Sequence, residues 1–166
     1  MKAILERRSI RKYTNEAVSE NDVKDLLRAA MSAPSAGNEQ PWEFIVVKDR
    51  QLLNEVMQVH PYAAMLEEAP LAIMVCGDLT REKYKGYWVQ DCSAAAENIL
   101  IAAQEKGLGA VWLGVYPVED RVESIRRVFG IPGHVTPMSL IAVGHPGETK
   151  AAADRYDEGR IHLNKW

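Results

Sequence analysis

The N-terminal segment, residues 7–13, has a composition that suits an anionic ligand. It reads R-R-S-I-R-K-Y, so four cations and a hydroxyl fall within six residues. A guanidinium group holds phosphate through a planar fork of donors, and a serine adds a neutral hydrogen bond. In an extended segment, Arg7, Ser9 and Arg11 project to the same side. The pattern therefore indicates an anion site, with a solvated basic surface as the alternative.

A second segment, residues 34–42, suits a flat ligand. It reads P-S-A-G-N-E-Q-P-W, and its small residues let the backbone approach such a ligand closely, while Gly37 permits an unusual turn. Asn38 and Gln40 can each donate and accept hydrogen bonds, which matches the edge of a pyrimidine-like heterocycle. The alternative is an ordinary helix-to-strand loop in which Trp42 anchors the core.

Two further segments are candidates for the same site. Residues 107–117 read G-L-G-A-V-W-L-G-V-Y-P, and Gly114 inside an apolar strand marks either a bulge or a contact between a ligand and the backbone. The glycine spacing is not that of a dinucleotide-binding fingerprint, and a tight turn into a buried strand remains open. In the tail, Arg155 or Arg160 could return to the anion site, unless this region is a solvated run of charge.

Other kinds of catalytic site are not indicated. The four histidines are scattered without metal-ligand spacing, so we expect no metal. Cys76 and Cys92 lie in apolar stretches and are interpreted as buried, reduced thiols; nothing marks either as activated, although a Cys/His nucleophile pair stays open. Nucleophile-elbow and P-loop motifs are both missing. A chain with no obvious acid, base or nucleophile is typical of proteins whose chemistry belongs to a cofactor.

The overall composition indicates one globular domain. The chain has 166 residues, of which 47% are hydrophobic and 26% charged, and no repeat or linker divides it. Twenty basic against twenty-three acidic residues argue against a general nucleic-acid binder. The start is basic but has no apolar run long enough for a signal peptide, and no stretch reaches the roughly 20 apolar residues of a membrane span. We therefore expect a single domain, 1–166, in the cytoplasm.

Helical and strand patterns alternate along the chain, which predicts a mixed α/β sandwich around a central sheet. Ser19, followed by Asp22, is a predicted N-cap, and Gly107 and Gly130 are predicted helix ends. Alanines on one side of the long helix suggest close packing, with a dimer interface as one option. The predicted helices are 3–8, 20–31, 51–58, 62–68, 87–106 and 119–129, and the predicted strands are 43–47, 71–76, 110–115 and 138–144.

Taken together and in order, these segments resemble the nitroreductase family of FMN-dependent oxidoreductases. The resemblance rests on R-R-S-I-R-K-Y, A-P-S-A-G-N-E-Q-P-W, E-A-P-L-A-I-M-V, the alanine-rich helix, G-L-G-A-V-W-L-G-V-Y-P and the arginine-containing tail. It covers nearly the whole chain. It implies a three-layer sandwich with a mostly antiparallel sheet between helices, in an intertwined homodimer with two FMN sites at the interface. The tail, from about residue 150, would pack on the partner protomer.

The resemblance also implies how the chain would hold FMN. Arg7 and Ser9 would bind the phosphate, with Arg155 from the tail and with Arg8 sharing that work. Arg11 would lie near the N1–C2=O end of the isoalloxazine, where reduction places negative charge and a cation stabilises it. The residues implied to come from the other protomer are Pro34, Ser35, Ala36 and Asn38, with Gln40 near them.

Leu113 and Gly114 would pass along the flavin ring, with a backbone N–H near N5. The chain has no room for the long helical excursion that covers the pocket in larger members of the family. The pocket is therefore expected to be open, or covered only by residues 59–68, from which Tyr62 and Met65 would line it. The alternative for these two side chains is simple packing.

The implied activity is an NAD(P)H-dependent reduction in which FMN carries the chemistry and no side chain is catalytic. NADH or NADPH would give hydride to the flavin, and a nitroaromatic, a quinone or a similar small molecule would then take the electrons. One alternative is a specialised member that dehalogenates substrates reductively or fragments flavin. Another is a dimeric flavin-binding module without turnover.

Overall fold

Four antiparallel strands form one central sheet in the structure, a computed structural model that describes all 166 residues. The strands are β1 (Trp42–Val47), β2 (Leu71–Asp78), β3 (Gly109–Gly114) and β4 (Val135–Gly144). Their order in the sheet is β1-β2-β4-β3. Each strand falls within a few residues of its predicted position, and the antiparallel sheet that the resemblance implied is confirmed. β1 and β3 are its edges.

Helices cover both faces of the sheet. They are α1 (Lys2–Glu6), α2 (Glu20–Met31), α3 (Arg50–Val59), α4 (Trp88–Glu105) and α5 (Glu119–Phe129). One hydrophobic cluster packs α3 and α5 against the sheet, and a second packs α2 and α4 against the opposite face. The predicted three-layer arrangement is therefore confirmed. The predicted helical turns before β2 are a short 3-10 helix, Ala64–Glu67.

The helix ends follow their local sequence signals. At the start of α2, the Ser19 hydroxyl accepts the Asp22 N–H at 3.0 Å and also donates to the Asp22 carboxylate. Gly107 follows α4 with a φ of +71°, and Gly130 follows α5 with a φ of +63°. These left-handed conformations suit glycine and allow the chain to turn back into the next strand.

The long helix α4 packs tightly because its inward side is mostly small residues. Ala95, Ala96 and Ala103 are fully buried against the sheet and α2. The close packing predicted from these alanines is therefore made within one chain. Cys76 and Cys92 are buried and free, and burial raises the pKa of Cys76 to about 12. Neither thiol is suited to act as a nucleophile near neutral pH.

The tail, residues 151–166, lies on the outside of the chain. All its residues are exposed, and its one regular element is the short 3-10 turn Glu158–Arg160. Leu163 is 84% exposed and Trp166 fully exposed, so a single chain offers them no packing surface. No helix in the structure has the length and apolar character required to cross a bilayer.

Candidate functional site

The edge strand β3 is covered for only part of its length. The segment before it in the chain runs alongside its first half, where Ser9 forms a parallel bridge to Ala110 and the Ile10 N–H donates to the Ala110 carbonyl at 3.0 Å. No strand pairs with the outer edge from Trp112 to Gly114. The site is built along this uncovered part of the edge.

The backbone N–H of Gly114 is directed away from the sheet. Leu113 lies opposite Leu140, and the Val115 N–H donates to the Met138 carbonyl at 3.1 Å. Because N–H groups alternate in direction along an antiparallel strand, that of Gly114, between these two residues, is directed outward from β4. Gly114 is exposed, and a side chain built at this position would meet no atom within 4 Å. A planar ligand could therefore approach this donor at close range.

A cavity of about 430 Å³ lies beside this donor. It brings together five residues that the sequence predicted, from three separate segments: Arg11, Tyr62, Met65, Leu113 and Gly114. Three further residues line it that the sequence analysis did not select: His60, Ala64 and Trp112.

The buried ring of His60 contacts the strand edge directly. Its Nε2 lies 2.9 Å from the carbonyl oxygen of Gly114, and its Nδ1 accepts the Tyr62 N–H at 3.3 Å. Arg121 also donates to the Gly114 carbonyl, at 3.2 Å, and its guanidinium lies 5.3 Å from the centre of the Tyr62 ring. The carbonyl of Gly114 is thus satisfied by side chains, whereas its N–H is left for a ligand.

The outer wall of this cavity is braced by an arginine on α3. Arg50 donates to the carbonyls of Leu66 and Ala69, the latter at 2.6 Å. The carboxylate of Glu68 accepts the Tyr13 N–H at 2.9 Å. Residues 64–69, which carry Met65, are therefore fixed to the body of the protein at several points.

A second cavity, of about 420 Å³, is the arginine-lined cavity, whose wall has three arginines together with Asp154, Tyr156 and four apolar side chains. It contains Arg7, Arg8 and Arg155, so the structure places Arg155 with the predicted anion-binding residues. Arg160 instead pairs with Asp157, three residues earlier, with 3.0 Å between Arg160 Nε and Asp157 Oδ2. Among the candidate phosphate ligands, the tail thus contributes Arg155 to this cavity.

Arg7 and Arg8 differ in how their charges are used. Arg7 has one weak contact, 3.4 Å to the carboxylate of Glu97. Arg8 donates to backbone carbonyls, including Leu5 at 3.0 Å and Ala151 at 2.9 Å, while its Nη2 is buried without a partner. Arg7 is therefore the more available charge, and Arg8 ties the tail to α1 with one donor to spare.

The third predicted group, the loop at residues 34–40, lines neither cavity. Gly37, Asn38 and Gln40 all have positive φ angles, of 52°, 54° and 47°, which is uncommon for residues with a side chain. The loop is fastened by the Asp91 carboxylate, which accepts the Ala36 N–H at 3.0 Å. Its conformation is thus preformed, but one chain does not bring it to the uncovered edge of β3.

Two buried carboxyl groups hold this loop, and the sequence analysis selected neither. Glu39 accepts the N–H groups of Lys83 and Tyr84 at 2.6 and 3.1 Å. The second oxygen of each carboxyl, Glu39 Oε1 and Asp91 Oδ2, is buried without a hydrogen-bond partner. Burial and the neighbouring Glu39 raise the pKa of Asp91. Burial acts to raise the pKa of Glu39, but the N–H groups of Lys83 and Tyr84, the neighbouring Asp91 and the charge of Lys83 together lower it. The pKa values of the two carboxyl groups are therefore shifted in opposite directions, upward for Asp91 and downward for Glu39.

Comparison with known proteins places this arrangement in a family. A family model described as the nitroreductase family matches residues 4–59 and 53–145. A protein of Methanothermobacter thermautotrophicus named "Putative NADH dehydrogenase/NAD(P)H nitroreductase" is 55% identical, over 100% of this chain and 87% of that protein.

Solved structures of similar proteins have the same fold and match this chain over nearly its whole length. A Parabacteroides distasonis protein with the same name matches with a TM-score of 0.96 and 42% identity, over 99% of this chain and 97% of that one. An FMN-dependent nitroreductase of Clostridium difficile matches with a TM-score of 0.92 and 32% identity, over 100% of both chains. Since the family model spans most of the sequence and full-length relatives exceed 30% identity, this chain belongs to the nitroreductase family.

Proposed function

We propose that this chain is an FMN-dependent oxidoreductase that takes hydride from NADH or NADPH and reduces nitroaromatics, quinones or similar small acceptors. The observation that carries the proposal is the outward N–H of Gly114 on the uncovered edge of β3, in one cavity with Arg11. The similar proteins named as NAD(P)H nitroreductase and as FMN-dependent nitroreductase support it.

The chain's residues fit a ligand with an anionic end and a flat end. Arg7 and Arg155 share the arginine-lined cavity, and the buried Nη2 of Arg8 beside them lacks a partner. Ser9 lies between this cavity and Arg11 along the chain. Over Gly114 the strand presents open space and a free donor, which suits a ring that lies against backbone. FMN has both ends, and so it fits.

Each group of residues has a distinct task toward the bound cofactor. Arg7, Ser9 and Arg155 would hold the phosphate, and Arg11 would place positive charge near the pyrimidine end of the ring. The Gly114 N–H orients the ring edge. Bound FMN supplies the two-electron chemistry, since no side chain in this cavity has the arrangement of an acid–base or nucleophilic pair. The side chains around it bind, orient and exclude water.

The proposed site is completed by a second copy of the chain. The preformed loop at residues 34–40 does not reach the edge of β3 within one chain, yet it carries the small and amide residues that suit a heterocycle. The exposed tail, ending in Leu163 and Trp166, provides apolar side chains that a partner surface would bury. A homodimer accounts for both features.

The proposal is tested by the visible spectrum of the protein after it has been mixed with FMN and desalted. We expect flavin absorbance to be retained and to bleach rapidly when NADPH or NADH is added without oxygen. Addition of a quinone or nitroaromatic should then restore the absorbance. A colourless protein would overturn the proposal.

Two other outcomes separate the alternative functions. Retained flavin that NAD(P)H reduces no faster than free FMN would favour a flavin-binding module without turnover. Loss of the flavin chromophore after reduction in air, with new products by mass spectrometry, would favour flavin fragmentation. Nothing in the cavities favours either over the proposed reductase.

A further inference from the structure

The imidazole of His60 contacts the donor strand, but the proposed function gives it no task. We propose that His60 is the positioning residue of the flavin site: its neutral ring fixes the direction of the Gly114 backbone and ties the Tyr62 segment to it. The inference rests on the proposed FMN site, because the positioned group is the one that would contact the ring.

Both nitrogens of His60 are committed to backbone groups. The residue follows α3, is only 2% exposed, and its own N–H donates to the Val56 carbonyl at 2.9 Å. Nδ1 faces the Tyr62 N–H, which can only donate, and Nε2 faces the Gly114 carbonyl, which can only accept. Only the neutral tautomer with hydrogen on Nε2 satisfies both contacts.

Gly114 requires such an anchor more than other residues of β3 do. It ends the strand at an uncovered edge, it has no side chain to pack, and a glycine backbone is free to rotate. In an extended strand, the N–H and C=O of one residue are directed to the same side. The Gly114 carbonyl is held by His60 on one side of its peptide group, and the Val115 N–H donates to Met138 on the other. Together these bonds keep the extended conformation in which the Gly114 N–H is directed outward.

The same ring couples two walls of the cavity. Tyr62 lies at the start of the segment that carries Ala64 and Met65, and its N–H is held by His60 Nδ1. Arg121 adds a second donor to the Gly114 carbonyl, but through a long side chain at the surface. His60 is the buried link, so its geometry sets the spacing between the edge of β3 and the Tyr62 segment.

The first test reads the tautomer in the intact protein, with and without FMN. Nitrogen-15 chemical shifts of His60 distinguish a protonated ring nitrogen from a bare one. We expect hydrogen on Nε2 and a bare Nδ1 in both forms. Hydrogen on Nδ1 would overturn the proposal, because the ring could then donate nothing to Gly114.

The second test separates the two hydrogen bonds by substitution. His60→Gln places an amide N–H near the Nε2 position and can keep the bond to Gly114, whereas His60→Asn ends near the Nδ1 position and loses it. We expect the asparagine variant to reduce its flavin with NAD(P)H about tenfold more slowly, as the loss of one positioning hydrogen bond predicts. The glutamine variant should stay within about threefold of the unchanged protein, and FMN affinity should change less than about threefold in both.

A control variant, and thermal unfolding to check that each variant is folded, accompany this test. His134→Gln changes an exposed histidine that lines neither site cavity and should leave reduction unchanged. Equal rates in the asparagine variant and the unchanged protein, or equal losses in both His60 variants, would overturn the positioning role. If the asparagine variant does not fold, a large loss in a folded glutamine variant would overturn it too. If the unchanged protein fails to reduce FMN, the proposed function fails, while the tautomer result still tests the contact.

Discussion

At the scale of single residues, Arg7 is the charge on which the proposed anion binding would most depend. It lies in the arginine-lined cavity with only a 3.4 Å contact to Glu97, whereas Arg8 is occupied by backbone carbonyls. A ligand phosphate could therefore take the Arg7 guanidinium without breaking a strong contact within the protein.

We expect Arg7→Ala to weaken FMN binding by about 1.5–3 kcal/mol, the usual size of a charge-assisted hydrogen bond. This corresponds to a loss of affinity of roughly ten- to a hundredfold. Titration of the apoprotein with FMN, followed by quenching of flavin fluorescence, measures it. Arg28→Ala is the matched control, because Arg28 is an exposed arginine on α2 that pairs only with Asp25. Unchanged FMN affinity in Arg7→Ala would remove this residue from the site.

The raised pKa of Asp91 predicts a specific dependence of stability on pH. Because the folded protein raises the pKa of Asp91 above its usual 3.8, its contribution to stability is present at low pH and declines as pH rises through the folded value. The lowered pKa of Glu39 acts in the opposite direction, but only as pH falls below its usual 4.5. The range above about pH 5 therefore isolates Asp91.

Asp91→Asn should remove this dependence. An asparagine can still accept the Ala36 N–H and can donate permanently to the Glu39 carboxylate. Relative to the unchanged protein, we expect its melting temperature to rise as pH increases from about 5 through the folded pKa of Asp91, and to level off above that pKa. Scanning calorimetry across this range measures the difference, with Asp154→Asn in the exposed tail as the control. A difference that does not vary with pH would show that Asp91 is already ionised.

At the scale of elements, the tail and the 34–40 loop behave differently from the rest of the chain. The tail buries none of its residues within one chain, and its clearest tie to the body is Arg8 to the Ala151 carbonyl. Its sequence nevertheless contains Leu163, Trp166 and Arg155, which is a predicted site residue. These properties are typical of an arm that folds against a partner.

Ending the chain after residue 150 should therefore leave the protomer folded but monomeric. The expected results are an unchanged far-ultraviolet circular dichroism spectrum, half the mass by light scattering, and loss of retained FMN. A chain that ends after residue 160 keeps Arg155 but lacks Leu163 and Trp166. Comparison of the two truncated chains therefore distinguishes the loss of the tail's apolar end from the loss of the proposed phosphate contact. A truncated chain that remained dimeric and yellow would refute the assigned role of the tail.

At the scale of the whole molecule, the sequence predicted elements better than contacts. The strand β2 follows from an uninterrupted apolar run, and α5 from its periodicity and Gly130, because these signals are local. The link between His60 and Gly114 joins positions 54 residues apart, and Ala36 and Asp91 are 55 apart. No local pattern distinguishes a buried histidine that anchors a strand edge from one that fills a core.

The predicted site residues also differ in whether the sequence or only the folded chain determines their position. Arg11, Leu113 and Gly114 line one cavity with Tyr62 and Met65. That this cavity holds a flavin stays a prediction. The tail's residues alone left Arg155 or Arg160 open, and the resemblance implied Arg155. In the folded tail, Arg160 turns back onto Asp157. Whether the loop at residues 34–40 completes the site depends on a second chain, which neither one sequence nor one protomer contains.

The uncovered edge of β3 also bears on how the protein must be handled. A strand edge with free N–H and C=O groups is a template for pairing with another strand, and proteins usually protect such edges. In the proposed complex the cofactor and the partner's loop provide that protection. Removal of the flavin would expose a short strand edge that can pair with another chain. We therefore expect the apoprotein to precipitate on storage more readily than the flavin-bound form, and added FMN to keep it in solution during purification.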